Sequence, residues 1–131
     1  MLDFFFDTST LAKRYIGETG SAWVRNVCAP ASSNNIFIAE ITAVEITSAI
    51  VRRSRGGSLT ATDAAAALRQ FDADSTNVYF VAEVTSARLT EARRIAETHG
   101  LRGYDAVQLA VALRFNREQL AAGLTVVTLV S

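Results

Sequence analysis

At 131 residues, half of them hydrophobic and a fifth charged, the chain has the make-up of a globular domain rather than a disordered or fibrous segment. Thirteen basic residues against thirteen acidic ones exclude a whole-molecule field that recruits nucleic acid or membrane, so a polyanion has to be met by a local patch. The single cysteine, Cys28, excludes an internal disulfide framework and fits a reducing compartment. The N-terminus shows no basic leader, its apolar run stops at Phe6, and no stretch reaches the length of a membrane span. The expected location is the cytoplasm.

Residues 2 to 6 predict a short buried strand, and Asp7 follows it at once in "FFFDTSTLAK". A lone buried carboxylate is costly, so Asp7 either caps the next helix or waits at a strand end for a cation. Leu11 to Ile16 predicts a first helix, with Asp7 or Thr8 at its N-cap and Gly17 as its stop. Ser21 to Ala29 predicts a second, ended by Pro30 and the "ASSNN" loop, and Ile36 to Ile38 a brief strand. A long helix is expected from about Ile41 to Ser54, closed by Gly56 and Gly57.

"TATD" at Thr60 to Asp63 resembles a capping box with aspartate for glutamate, opening a helix to about Ala73. "VYFVAEV", residues 78 to 84, reads as a strand rich in β-branched and aromatic residues. Thr85 or Ser86 then caps a helix that ends at His99 and Gly100. A further helix is predicted over Tyr104 to Phe115 and a last strand over 125 to 130. Strands separated by helices predict a three-layer α/β/α sandwich with a central parallel sheet, in one domain spanning residues 1–131.

In such sheets, sites form outside the carboxyl ends of the strands, where Asp7 falls. In "IAEITAVEITSAIVRR", the residues Thr42, Glu45, Ser48 and Arg52 make a polar stripe at helical spacing through an apolar helix. The stripe faces either a cleft or solvent. Glu40 competes with Glu45 but lies at the helix entrance. Asp105, in "LRGYDAVQLAVAL", sits in the first turn of a very apolar helix, approached through Gly103. It serves there as a dipole-stabilising acid or as a ligand at the sheet edge. Three acids brought together repel unless a cation or proton intervenes, and Mg²⁺ suits an all-oxygen set that keeps waters and takes a phosphate.

"FFFDTSTLAKRY", "ITAVEITSAI" and "LRGYDAVQLAVAL", in this order, resemble the three acidic motifs of the PIN-domain family, most of all its VapC-type toxins. The resemblance covers almost the whole chain. It implies an α/β/α fold and an endoribonuclease dependent on Mg²⁺ or Mn²⁺, the toxin of a type II toxin–antitoxin pair. It implies Asp7, Glu45 and Asp105 as the catalytic and metal-site carboxylates, a homodimer, an RNA substrate and a cognate antitoxin. The family's fourth acid usually follows the last apolar strand; here that strand ends "TLVS" at Ser131, so a C-terminally shortened domain is expected.

Around the three acids, Ser9 and Thr8 either orient Asp7 and a bound water or simply cap the helix. Lys13, Arg14, Arg52 and Arg53 are candidate phosphate contacts, against the plainer role of solvated surface charge. Trp23 and Tyr104 are expected to pack rather than stack on bases, and Cys28 to fill core. Two further functions stay open: a PIN-like binding module with a decayed site that works through protein contacts alone, and a hydrolase of small phosphoesters. "DTST" lacks the second aspartate that the latter would use as acid and base.

Overall fold

The structure, a computed structural model, describes residues 2–131. Four parallel strands form one sheet: β1 (Asp3–Phe6), β2 (Asn35–Ala39), β3 (Tyr79–Ala82) and β4 (Thr128–Val130), in the order β3-β2-β1-β4. Phe5 of β1 stands beside Phe37 on one flank and Leu129 on the other. The run of three phenylalanines has its explanation here. Strand side chains alternate between faces, and helices cover both faces of the sheet, so every position is apolar.

Phe4, Phe6, Ile36 and Ile38 point to one face. They pack under α1 (Thr8–Tyr15), α2 (Ser21–Cys28), α3 (Thr42–Arg55) and α4 (Ala61–Asn77), with Leu11, Val24, Ile46, Ile50 and Phe71 completing that core. Phe5, Phe37 and Ala39 point to the other face, against Val111, Ala112 and Phe115 of α6 (Gly103–Ala121). Behind α6 lies α5 (Ser86–His99), joined to it through Ala92, Ala106 and Ala110, small residues that let two helices approach closely. The three-layer α/β/α expectation holds.

Local signals set the helix starts. Thr60 accepts from the Asp63 amide at the head of α4, and Thr85 from that of Arg88 at the head of α5. Gly100 closes α5 in the left-handed region at φ 66°, where a glycine carries no Cβ penalty. Asp7 caps α1, which begins at Thr8 rather than near Leu11.

Other boundaries move. Strand β3 is four residues, because Val78 still closes α4 and the chain leaves the sheet after Ala82. It is an edge strand paired with β2 alone, and Phe80 is 55% exposed although its ring stacks on Phe37. Strand β4 begins only at Thr128, since the Val127 amide donates to Asn116 Oδ1 instead of to a neighbouring strand. Helix α6 continues past Phe115 to Ala121, and Gly103, expected as a flexible approach, is its first residue. No helix among the described residues is long and apolar enough to cross a membrane.

Candidate active site

Where β1 ends, the Asp7 amide continues the ladder by donating to the Val130 carbonyl, and α1 starts one residue later. The Asp7 carboxylate accepts from the Thr10 amide at 3.0 Å and the Ser9 hydroxyl at 2.8 Å, both on Oδ1. Its Oδ2 has no hydrogen-bond partner among the described residues. The cap and the ligand readings are therefore compatible: one oxygen caps, and the other remains open.

Glu45 repeats the pattern from the first turn of α3. Its Oε1 accepts from the Thr8 hydroxyl at 2.9 Å and from the Gln108 amide nitrogen at 2.8 Å. Among the described residues Oε2 is open. The polar stripe through α3 faces a cleft: Thr42 is buried beneath it, while Glu45, Ser48 and Arg52 line the wall. Asp105 lies in the first turn of α6, where the helix dipole favours an acid, and no hydrogen bond or ion pair engages it among the described residues.

Asp7, Glu45 and Asp105 all line one cavity of about 500 Å³. A second cavity, about 490 Å³, shares Asp7, Ser9, Asp105 and Gln108 with it and runs on to Leu129 and Ser131. The three acids share a space without closing on one point. Among the described residues no group of three His, Cys, Asp or Glu side chains is arranged as a ready metal-binding set. A hard divalent cation that keeps several waters takes one or two direct carboxylates. The donor set, oxygens with one open atom on Asp7 and another on Glu45, has the right chemistry. Glu40, the competing acid, lies apart: its Oε1 accepts from the Val84 amide at 3.5 Å, and it does not line the cavity.

Among the basic candidates, Arg52 lines the cavity and the others do not. Lys13 donates to the Thr19 carbonyl at 2.9 Å, and Lys13 and Arg53 both pair with Glu18. Arg14 is turned inward onto Asp74 at 3.5 Å and the Tyr79 hydroxyl at 3.2 Å. Spacing along α1 could not reveal this, since Asp74 and Tyr79 come from distant segments. Arg102, which sequence reasoning missed, lines the cavity at the N-cap of α6. Its place three residues before Asp105 was a usable signal. Neither Arg52 nor Arg102 is in an ion pair among the described residues, although three carboxylates line the same cavity.

Trp23 packs, edge-on to Phe4 and tilted against Phe6. Tyr104 does not: it is 56% exposed at the cavity wall. Cys28 is buried, and burial pushes its thiol pKa up, in keeping with a core side chain.

Comparison with known proteins adds the following. The family model described as PIN domain matches residues 4–128, a span that includes all three acids. VapC20 from Mycobacterium tuberculosis, described as a sarcin-ricin loop cleaving toxin, superposes with a TM-score of 0.64 at 19% identity, over 93% of this chain and 85% of that one. VapBC2 from Rickettsia felis, solved bound to a DNA fragment from its promoter, superposes with a TM-score of 0.62 at 13% identity, over 98% of each chain. At these identities the likeness is one of fold. No curated protein is matched.

Proposed function

Because the chain belongs to the PIN-domain family, we propose that it is a divalent-metal-dependent endoribonuclease and the toxin of a VapBC-type toxin–antitoxin pair. One observation carries this reading. Acids from three separate elements reach a single cavity whose wall also presents two arginines outside any ion pair among the described residues. Such a cavity leaves charges of both signs open, and a metal ion with an RNA phosphate would meet both.

Asp7, Glu45 and Asp105 would hold Mg²⁺ or Mn²⁺, which supplies activation of water at neutral pH and neutralisation of charge on the phosphodiester. Ser9 and Thr8 fix the carboxylates of Asp7 and Glu45 through single oxygens. Arg52 and Arg102 meet the phosphates flanking the cut, and the exposed Tyr104 ring offers an adjacent base a surface. A cytoplasmic homodimer restrained by a cognate antitoxin completes the proposal, on the likeness to the VapC and VapBC structures.

The test is cleavage of labelled single-stranded RNA by the purified chain with Mg²⁺ or Mn²⁺, with chelator, and after Asp7→Asn. Metal-dependent cleavage that falls at least about a hundredfold in Asp7→Asn is expected, since a neutral amide is a poorer ligand for a hard cation. Equal cleavage in chelator, or by Asp7→Asn, overturns it. The absence of a ready three-ligand set among the described residues favours one competing reading, a PIN-like module that acts by binding alone. Binding of RNA without cleavage under any divalent ion would select that reading.

A further inference from the structure

Beneath the cavity, Gln108 links three helices. It is 4% exposed, one turn along α6 from Asp105, on a helix whose buried neighbours Ala106, Ala110, Val111 and Ala112 are all small and apolar. Its Nε2 lies 2.8 Å from Glu45 Oε1, 2.9 Å from Thr42 Oγ1 and 3.1 Å from Thr8 Oγ1. An amide nitrogen has two hydrogens, so these three acceptors share them. The Gln108 Oε1, by contrast, is buried with no partner.

A buried acceptor without a donor is a standing cost, and turning the amide over would give the oxygen donors only by taking the N–H groups from the acceptors they now meet. The oxygen would then lie beside the Thr8 and Thr42 hydroxyls, both able to donate. It would also face the Glu45 carboxylate, acceptor against acceptor. The observed orientation keeps the N–H on Glu45 and accepts the orphaned oxygen as a consequence. An apolar residue would suit this position better if packing were its only role.

We propose that Gln108 is the positioning residue of Glu45. With Thr8, it holds Glu45 Oε1, so that Oε2 remains the oxygen available to a cation in the cavity. The inference rests on the reading of Glu45 as a cation-holding carboxylate. A glutamate at the head of a helix has three rotatable side-chain bonds, and two donors on one oxygen remove most of that freedom. Partners that orient a ligand in this way typically contribute about 10–100-fold to metal affinity.

The experiment titrates Mn²⁺ into metal-stripped protein without RNA, reading the free-ion paramagnetic resonance signal, and records a thermal melt of each variant in chelator. The set is the parent, Gln108→Met, Gln108→Asn, Glu45→Gln and the Gln108→Met/Glu45→Gln pair. Methionine keeps length without a donor; asparagine keeps the amide without the reach. Both are expected to weaken Mn²⁺ binding at least about tenfold, and the melts in chelator establish that each variant compared is folded. In the Glu45→Gln background the methionine should change affinity no further. Parent-like Mn²⁺ binding by either single variant that folds overturns the inference alone, as does an undiminished effect in the Glu45→Gln background. A parent that takes up no Mn²⁺ overturns the cation-site reading and this inference with it.

Discussion

Two groups of charged and polar side chains lie at opposite ends of the strands. Near the start of β3, Asp74 is 4% exposed and both its oxygens are engaged: Oδ2 by the Tyr15 hydroxyl at 2.6 Å and Arg14 at 3.5 Å, Oδ1 by Gln70 at 3.0 Å. Arg14 in turn reaches the Tyr79 hydroxyl and lies about 6 Å from the centres of both tyrosine rings, and the two phenols hydrogen-bond each other. At the carboxyl ends, Asp7 and Glu45 each use a single oxygen and Asp105 uses neither, among the described residues. A saturated cluster with its charges paired joins helices into a fold. A cluster with open oxygens is what the proposed function requires of a site that takes up a cation.

The strongest way to test that contrast is to break the saturated cluster. Asp74→Ala leaves the Arg14 guanidinium uncompensated in a largely buried setting and should lower stability by about 3–5 kcal/mol, measured by urea unfolding. A loss no greater than that of an exposed substitution would mean that the cluster is not structural.

The open cluster should answer in the opposite sense. In chelator, Asp105→Asn should be as stable as the parent or more so, since it removes one of three like charges around a cavity. Mg²⁺ at about a hundredfold excess over its dissociation constant should stabilise the parent by roughly 2.7 kcal/mol, and the variant much less. Paired thermal melts decide it. A parent indifferent to Mg²⁺ and Mn²⁺, with Asp105→Asn costing stability, would make Asp105 a helix-terminal residue and nothing more.

A finer distinction comes from alkaline pH. Burial foremost, then the neighbouring Tyr79 and the hydrogen bond to Asp74, raises the Tyr15 pKa far above its ordinary value of 10.0; burial likewise raises that of Tyr79. The folded state therefore holds phenol protons that the unfolded chain releases. This stabilisation is complete below about pH 10 and declines above it, by about 1.4 kcal/mol per pH unit for each tyrosine. Urea unfolding between pH 9 and 11 should show the decline, and Tyr79→Phe should reduce its slope. Unchanged stability across that range would mean the phenols are less enclosed than their contacts suggest.

Much of this was legible in the residues themselves. Apolar runs marked the strands, because a central strand covered on both faces favours apolar side chains. Thr60, Thr85 and Gly100 marked helix ends, because capping is settled within three or four residues. Asp7, Glu45 and Asp105, which line one cavity, were picked out as candidates from their placement at element ends and from motifs whose spacing is carried by the chain. Each of these signals lives within one element and needs no knowledge of what packs against it.

What tertiary structure decided spans elements. Gln108 meets Glu45 across 63 positions and Tyr15 meets Asp74 across 59, and no local period relates such pairs. That Arg14 turns inward while Arg102 lines the cavity depends on what other elements bring near them: Asp74 and Tyr79 to Arg14, the cavity to the N-cap of α6. Charge alone, the property visible in the sequence, is the same for both. The short extents of β3 and β4 follow from contacts outside the sheet: Val78 still closes α4, and the Val127 amide is taken by Asn116. Likewise, residue type placed the acids at the site, but which oxygen of Asp7 and of Glu45 stays open was settled by donors arriving from other parts of the fold.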